Sequence, residues 1–299
     1  MLRKAGMSSP QAHFFKHQKG ITMNTYLQTR VNDRNISYWE TGRGEKTLLL
    51  LHTLRTQIEY AERIVPLLAD NYRIIVPDLP GFGRSSKELN KPYNATLFVE
   101  TVSALIKKLD LNDITLVGES IGGTIALCLA AQMPNRISHV YAFNPHDSMG
   151  SLIGGPVGKV VSYVGKFTEE PFKRDIPPLF KYIFQAGFAN KKNLSNEFIG
   201  KLISVPGQDE RFPLVMKSMM KEASSWSHMA DKEYPNIPQS VITQVIYGDK
   251  DWSPSYALEQ NKRRLPKHVK FTMLQKTGHF SFLDNPAGSA SIIKAVSKN

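Results

Sequence analysis

Residues 118–122 read Gly-Glu-Ser-Ile-Gly, a pattern that puts a serine between two glycines. The apolar residues 114–117 before it predict a buried strand, and the apolar residues 124–131 after it predict a buried helix. A strand-to-helix turn of this kind has no room for side chains at its glycines and holds the serine hydroxyl clear of the sheet. We therefore predict that Ser120 is a nucleophile able to attack a carbonyl carbon.

A serine hydroxyl is a poor nucleophile at neutral pH, so it needs a general base, and the base needs an acid to orient it. Of the eight histidines, His279 lies just after the last predicted strand and before the last predicted helix. Two aspartates also follow predicted strands: Asp251 after the penultimate strand, and Asp147 after the strand that comes next behind Ser120. We predict His279 as the base, and both aspartates remain candidates for the acid.

Four separate motifs give the chain, from about residue 25 onward, a resemblance to the α/β-hydrolase family. They are an Asp-x-x-Gly-x-Gly-x-Ser loop at residues 78–85, the Gly-x-Ser-x-Gly turn, a Gly-x-x-Asp loop at residues 248–254, and a Gly-His pair followed by an acid and a proline at residues 278–286. The resemblance implies the triad order Ser120, Asp251, His279. It thus favours Asp251 as the acid, although some subfamilies use the position of Asp147.

The resemblance also implies an oxyanion hole, because the negative charge of a tetrahedral intermediate has to meet N–H groups that are already in place. We expect the backbone N–H groups of Ile121 and Leu54 to form it. His52 ends the predicted strand at residues 47–51, where family members keep a histidine that braces the loop. Thr53 stands where the family usually has glycine, so the shape of this loop is left open.

Alternating strand and helix patterns predict an α/β class protein with a mostly parallel, doubly wound sheet, antiparallel N-terminal strands and an inserted helical cap. The resemblance implies that this is the α/β-hydrolase fold. We expect a flexible basic segment at 1–22, the first part of the core at 23–144, the cap at 145–239 and the second part of the core at 240–299. The predicted strands cover residues 25–31, 35–41, 47–51, 72–76, 114–117, 140–143, 241–246 and 269–274, and the predicted core helices cover residues 58–68, 95–109, 124–131, 256–265 and 288–296.

The composition is that of a globular protein, with 41% hydrophobic and 21% charged residues in a chain of 299. No run of about 18 apolar residues occurs, so we expect no transmembrane segment and a cytoplasmic location. The net charge of +12 is diffuse, which argues against a nucleic-acid partner. The single cysteine, Cys128, predicts a buried thiol, and no motif indicates a metal or a cofactor.

These features predict a serine hydrolase that cleaves a carboxylic ester or related acyl compound through an acyl-enzyme on Ser120. We expect a small or medium apolar acyl substrate, and we expect most aromatic and methionine residues of the cap to form its own core. Two alternatives remain: a carbon–carbon bond hydrolase or lyase-like relative with the same triad, and a non-catalytic receptor for small ligands. A serine at the turn argues against the family's epoxide hydrolase and dehalogenase branches, which need a carboxylate nucleophile.

Overall fold

The computed structural model describes residues 26–147, 163, 167, 181, 184–203, 210–253 and 255–295. The predictions for residues 1–22, and for the early part of the cap at 148–162, lie outside the described residues. The strands are β1 (Tyr26–Val31), β2 (Arg34–Thr41), β3 (Lys46–Leu51), β4 (Tyr72–Pro77), β5 (Ile114–Glu119), β6 (Ile137–Phe143), β7 (Ile242–Gly248) and β8 (Lys270–Leu274).

Within the described residues these strands form one eight-stranded sheet in the order β1-β2-β4-β3-β5-β6-β7-β8. Strand β2 pairs antiparallel with both β1 and β4, and every other neighbouring pair is parallel. The carboxyl ends of β3, β5, β6, β7 and β8 therefore lie along one edge of the sheet, where ligands bind in open α/β sheets. The predicted fold class is confirmed.

The helices are α1 (Val65–Leu68), α2 (Ala95–Lys108), α3 (Ile121–Gln132), α4 (Asn196–Ile203), α5 (Phe212–Lys221), α6 (Ser224–Glu233), α7 (Ser255–Arg264), α8 (Ser281–Asp284) and α9 (Pro286–Ala295). Asn94 caps α2, because its Oδ1 accepts a hydrogen bond of 2.9 Å from the N–H of Leu97. Helix α3 is almost wholly apolar and packs between the sheet and α6, which explains why its sequence shows no polar face.

The structure corrects the helix predicted for residues 58–68. A 3₁₀ helix spans Ile58–Ala61, and a separate short helix, α1, spans Val65–Leu68. Pro66 prevents a continuous helix, because it has no N–H to donate to the carbonyl of Glu62, and it is tolerated here in the first turn of the new helix α1. The apolar side chains at 58, 60, 61, 64, 65 and 68 are buried, but the backbone that carries them is divided.

Described residues of the segment 145–239 form helices between β6 and β7, as predicted for an insertion. The buried large apolar side chains of these helices join the two main hydrophobic cores of the protein, whereas we expected a core of their own. The ring of Phe212 in α5 lies 5.9 Å from that of Phe82, and the ring of Trp226 in α6 lies 5.3 Å from that of Phe98. Helices α5 and α6 are thus packed directly on the sheet's own helices and loops.

Gly248 and Gly200 provide a matched pair of glycine-to-alanine tests. A Cβ at Gly248 would lie 2.3 Å from the carbonyl oxygen of Thr277 in the loop after β8, whereas a Cβ at Gly200 in α4 would meet nothing within 4 Å. We expect Gly248→Ala to lower the free energy of unfolding by about 1–3 kcal/mol through overpacking. We expect Gly200→Ala to raise it by about 0.5–1 kcal/mol through helix propensity. Urea unfolding followed by tryptophan fluorescence measures both, and equal stabilities would contradict the described packing.

Candidate active site

Ser120 lies at the junction of β5 and α3 with φ 56° and ψ −119°, a conformation that non-glycine residues rarely adopt. Hydrogen bonds hold its backbone in place. Its N–H donates to the carbonyl of Phe143 at 2.9 Å, and its carbonyl accepts from the N–H groups of Thr124 at 3.0 Å and His146 at 3.2 Å. The strained serine is therefore fixed by contacts on both of its peptide groups.

The glycines on either side of Ser120 are required by close approach of the backbone. A Cβ at Gly118 would lie 2.1 Å from the carbonyl oxygen of Gly122, and a Cβ at Gly122 would lie 2.5 Å from the carbonyl oxygen of Leu51. These contacts pack the turn against the end of β3, so the predicted sharp turn is present in the structure.

His279 and Asp251 meet beyond the ends of β8 and β7. Nδ1 of His279 lies 2.8 Å from Oδ1 of Asp251, and both side chains are buried. Burial by itself raises the pKa of Asp251, but the charge and hydrogen bond of His279, together with the N–H of Ser253, hold this pKa below its ordinary value. Asp251 is therefore ionised at neutral pH and accepts a hydrogen bond from Nδ1–H of His279, which leaves Nε2 as the basic nitrogen.

Asp147, the other candidate acid, is paired with a different residue. Its carboxylate forms an ion pair with Arg264 at the end of α7, and Nε of Arg264 also lies 2.6 Å from the carboxylate of Asp231 in α6. Burial raises the pKa of Asp147 even with Arg264 beside it. Arg264 is 117 positions along the chain from Asp147, so no local pattern in the sequence indicates that the two residues pair.

Aromatic rings surround the imidazole of His279. The ring centroid of Trp252 lies at 5.1 Å, that of Phe280 at 5.3 Å, and that of His146, in an edge-to-face arrangement, at 6.2 Å. The backbone N–H of His279 donates to the carbonyl of Gly187 at 2.7 Å. The insertion thus forms part of the wall around the histidine.

Asn144, which the sequence analysis did not single out, joins the two loops that carry Asp251 and His279. It follows β6 with φ 44° and is fully buried. Its Oδ1 accepts from the N–H of Gly248 at 2.8 Å, while its Nδ2 donates to the carbonyl of His279 at 2.9 Å. One amide side chain therefore fixes the spacing between the two loops.

Glu119, directly before Ser120, was also missed. Its buried carboxylate accepts a hydrogen bond of 2.6 Å from the N–H of Ser281 through Oε1 and is hydrogen-bonded to the hydroxyl of Tyr60 through Oε2. Burial, the dominant effect, raises the pKa of Glu119 to about 8. The available signal was a charged residue at the end of an otherwise apolar buried strand.

His52 has a structural role, as expected. Its Nε2 accepts from the N–H of Leu79 at 2.9 Å, so its Nδ1 carries the proton and donates to the carbonyl of Thr53 at 2.8 Å. Burial lowers the pKa of His52 to about 4, which keeps the ring neutral. The carbonyl oxygen of Thr53 also accepts a hydrogen bond of 2.7 Å from the hydroxyl of Thr56.

These contacts orient the peptide that joins Thr53 to Leu54. No described peptide bond is cis, and in a trans peptide the N–H and the C=O point in opposite directions. Because the carbonyl of Thr53 points to His52, the N–H of Leu54 points away from it. Thr53 itself needs no glycine-like backbone, since the residue with positive φ in this loop is Arg55, at 60°.

Among the described residues, no group of three or more histidine, cysteine, aspartate or glutamate side chains is arranged to hold a metal ion. In the same part of the chain, no helix combines the length and the apolar character that crossing a membrane requires. Cys128 is buried as predicted, and burial raises the pKa of its thiol.

A family model described as the alpha/beta hydrolase fold matches residues 46–286. The chain belongs to the α/β-hydrolase fold family. It is 26% identical over 238 residues to a 2-hydroxymuconate semialdehyde hydrolase of Pseudomonas sp. strain CF600, an alignment that covers 77% of this chain and 78% of that protein. It is 36% identical over 116 residues to a haloalkane dehalogenase of Psychrobacter cryohalolentis, but that alignment covers only 38% of each chain.

Solved structures of this family show the same fold. The meta-cleavage product hydrolase of Pseudomonas fluorescens IP01 matches with a TM-score of 0.72 at 16% identity, over 91% of this chain and 97% of that one. A haloalkane dehalogenase of Bradyrhizobium elkani matches with a TM-score of 0.70 at 20% identity, over 92% and 99%. The family match and the two sequence relatives named above support hydrolase activity at the level of the α/β-hydrolase family.

Two buried carboxyl groups predict how the stability of this α/β hydrolase depends on pH. Burial raises the pKa of Glu119 to about 8 and that of Asp78 to about 7, so the folded chain keeps protons that the unfolded chain has released. The free energy of unfolding should therefore fall as the pH rises from about 5 to about 8, by at most about 1.4 kcal/mol per pH unit for each group.

Glu119→Gln tests the sign of this effect, because a glutamine cannot release a proton. We expect the decline between pH 5 and pH 8 to be shallower in the variant than in the wild type. Urea unfolding at several pH values measures the slope for both proteins. An identical slope would contradict a raised pKa at Glu119.

Proposed function

We propose that this α/β hydrolase is a serine hydrolase that cleaves carboxylic esters or related acyl compounds through an acyl-enzyme on Ser120. The observation that carries the proposal is the buried hydrogen bond of 2.8 Å between His279 and Asp251. It occurs at the same sheet edge as a strained serine at a strand-to-helix turn. A base, its orienting acid and an activated serine are the parts that acyl transfer requires.

In the proposed reaction, Oγ of Ser120 bonds to the carbonyl carbon of the substrate while its proton passes to Nε2 of His279. The carbonyl π electrons move onto oxygen, giving a tetrahedral oxyanion. The oxyanion collapses, the bond to the leaving alkoxide breaks, and His279 returns the proton to that oxygen. Water, deprotonated by His279, then attacks the acyl-enzyme, and the acid product leaves as Ser120 regains its proton.

Backbone N–H groups of Ile121 and Leu54 are the proposed oxyanion donors. Ile121 is the first residue of α3, where N–H groups have no partner inside the helix. The N–H of Leu54 points away from His52 because the carbonyl of Thr53 is held by the His52 ring. Losing one such donor typically raises the barrier by about 3 kcal/mol.

A carbon–carbon bond hydrolase is the second candidate. It is favoured by the match to the 2-hydroxymuconate semialdehyde hydrolase, which spans 77% of this chain. Such a reaction would use the same serine, histidine and aspartate, so the geometry of these residues fits both candidates. The dehalogenase match carries less weight, because it covers 38% of the chain and Ser120 is not a carboxylate.

An apolar acyl group is the proposed substrate feature. The rings of Trp252 and Phe280 lie 5.1 Å and 5.3 Å from the imidazole of His279, and the ring of Phe184 stacks on that of Phe280 at 4.6 Å. Rings in this position favour burial of hydrocarbon over charged groups.

The first test is labelling with an active-site-directed fluorophosphonate followed by peptide mass spectrometry. We expect covalent modification at Ser120 in the wild type and none in Ser120→Ala. His279→Ala should label at least about 100-fold more slowly, because the base no longer takes the serine proton. Both variants should keep the wild-type melting temperature within a few degrees.

A folded wild-type protein that resists labelling would overturn the proposed function and favour the ligand receptor. Turnover that survives in Ser120→Ala would exclude the acyl-enzyme. To separate the two hydrolase candidates, kcat/KM is measured on p-nitrophenyl esters of rising chain length and on 2-hydroxymuconate semialdehyde, the compound in the relative's name. The substrate class with the higher kcat/KM identifies which of the two reactions the enzyme catalyses.

The second test compares Asp251→Asn with Asp147→Asn. Asparagine at 251 can no longer stabilise the imidazolium, so kcat should fall about 10⁴-fold with little change in stability. Asparagine at 147 breaks a buried ion pair with Arg264, so it should lower the melting temperature while kcat of the folded protein stays within about threefold. The reverse pattern would make Asp147 the acid.

A further inference from the structure

We propose that Glu119 is a positioning residue that sets His279 against Ser120 by holding the loop of the base to the strand of the nucleophile. The inference rests on the proposed function. Glu119 does not touch the reacting atoms in this scheme and acts through the residues it binds.

The two oxygens of Glu119 hold two different segments. Oε1 accepts the backbone N–H of Ser281 at 2.6 Å, two residues after His279. Oε2 is hydrogen-bonded to the hydroxyl of Tyr60, which lies in the 3₁₀ helix that follows the loop of Leu54. One side chain, next to Ser120 in the chain, thus binds the loop that carries His279 and the 3₁₀ helix that follows the loop of Leu54.

The histidine loop is also held from its opposite side. Nδ2 of Asn144 donates to the hydroxyl of Ser281 at 2.8 Å and to the carbonyl of His279 at 2.9 Å. Asn144 therefore fixes this loop relative to the aspartate loop, and Glu119 fixes it relative to the serine. Asn144 also reaches Ser120 indirectly, because the backbone groups of Phe143 and His146 on either side of it bind the backbone of Ser120. Loss of the contact to Glu119 therefore removes one of two supports for the distance from base to nucleophile, the one that starts from the residue next to Ser120.

Burying a carboxyl group at this position costs desolvation free energy that packing alone would not require. Glu119 is 0% exposed, and an apolar side chain of similar size would avoid the desolvation of the acid. Burial and the nearby charge of Asp251 both raise the pKa of Glu119. In its neutral form the carboxyl group still binds both partners and adds no negative charge next to Asp251.

The experiment compares Glu119→Gln, Glu119→Leu and a matched control, Glu233→Leu. Glutamine can accept from Ser281 and donate to Tyr60, so it should rescue the contacts that leucine removes. Glu233 is a buried carboxylate in α6 whose ion pair, at 3.4 Å, is with its neighbour Lys232. We measure kcat, KM, the rate of fluorophosphonate labelling and the melting temperature of each.

We expect Glu119→Leu to lower kcat and the labelling rate about 30-fold or more with KM within about threefold, because a displaced base slows chemistry and not binding. For Glu119→Gln, kcat and the labelling rate should stay within about threefold of the wild-type values. Glu233→Leu should keep the wild-type kcat. If Glu119→Leu does not fold, Tyr60→Phe replaces it, with an expected loss of about 3- to 10-fold in kcat.

The inference is overturned if Glu119→Leu, or Tyr60→Phe in its place, keeps the wild-type kcat. It is also overturned if the Glu119→Gln variant loses as much activity as the Glu119→Leu variant. A change in KM alone also overturns it, because that would indicate a role in binding. These results differ from failure of the proposed function, in which the wild-type protein itself is neither labelled nor active.

Discussion

The arrangement of the site depends on the packing of one tight turn against the end of β3. The backbone of Gly122 lies so close to Leu51 that neither turn nor strand can move without the other. Hydrogen bonds from and to Ser120 fix the strained conformation at the centre of this turn. Since β5 lies between β3 and β6 in the sheet, the turn also determines where the neighbouring loops have to be.

Buried polar side chains, and not apolar packing alone, determine the spacing of these loops. His52, Asn144 and Glu119 each bind backbone groups of a segment distant in sequence, and each is fully buried. A buried polar group is stable only when its partners are in place, so each of these contacts strongly favours one loop geometry. The sheet places these loops along one edge, and the contacts of the buried side chains determine the distances between the loops.

Much of the fold was predictable, because apolar runs and glycine-containing turns are local signals. The positions of the strands along the chain and the helix after Ser120 follow from such patterns, whereas the meeting of Asp251 with His279 follows from the resemblance to the α/β-hydrolase family. Contacts between distant residues were not predictable: Glu119 binds Ser281, 162 positions away. Pro66 divides a predicted helix, since an apolar pattern reports burial but not the loss of a backbone donor.

The hydrogen bond between the N–H of His279 and the carbonyl of Gly187 links the insertion to the imidazole. The segment around Gly187 therefore cannot be exchanged between relatives as an independent module for substrate choice. A sequence change there that shifts its backbone also shifts the ring, so selectivity and turnover are coupled at this point. Attempts to redesign substrate preference are better directed at parts of the insertion that do not contact the backbone of His279.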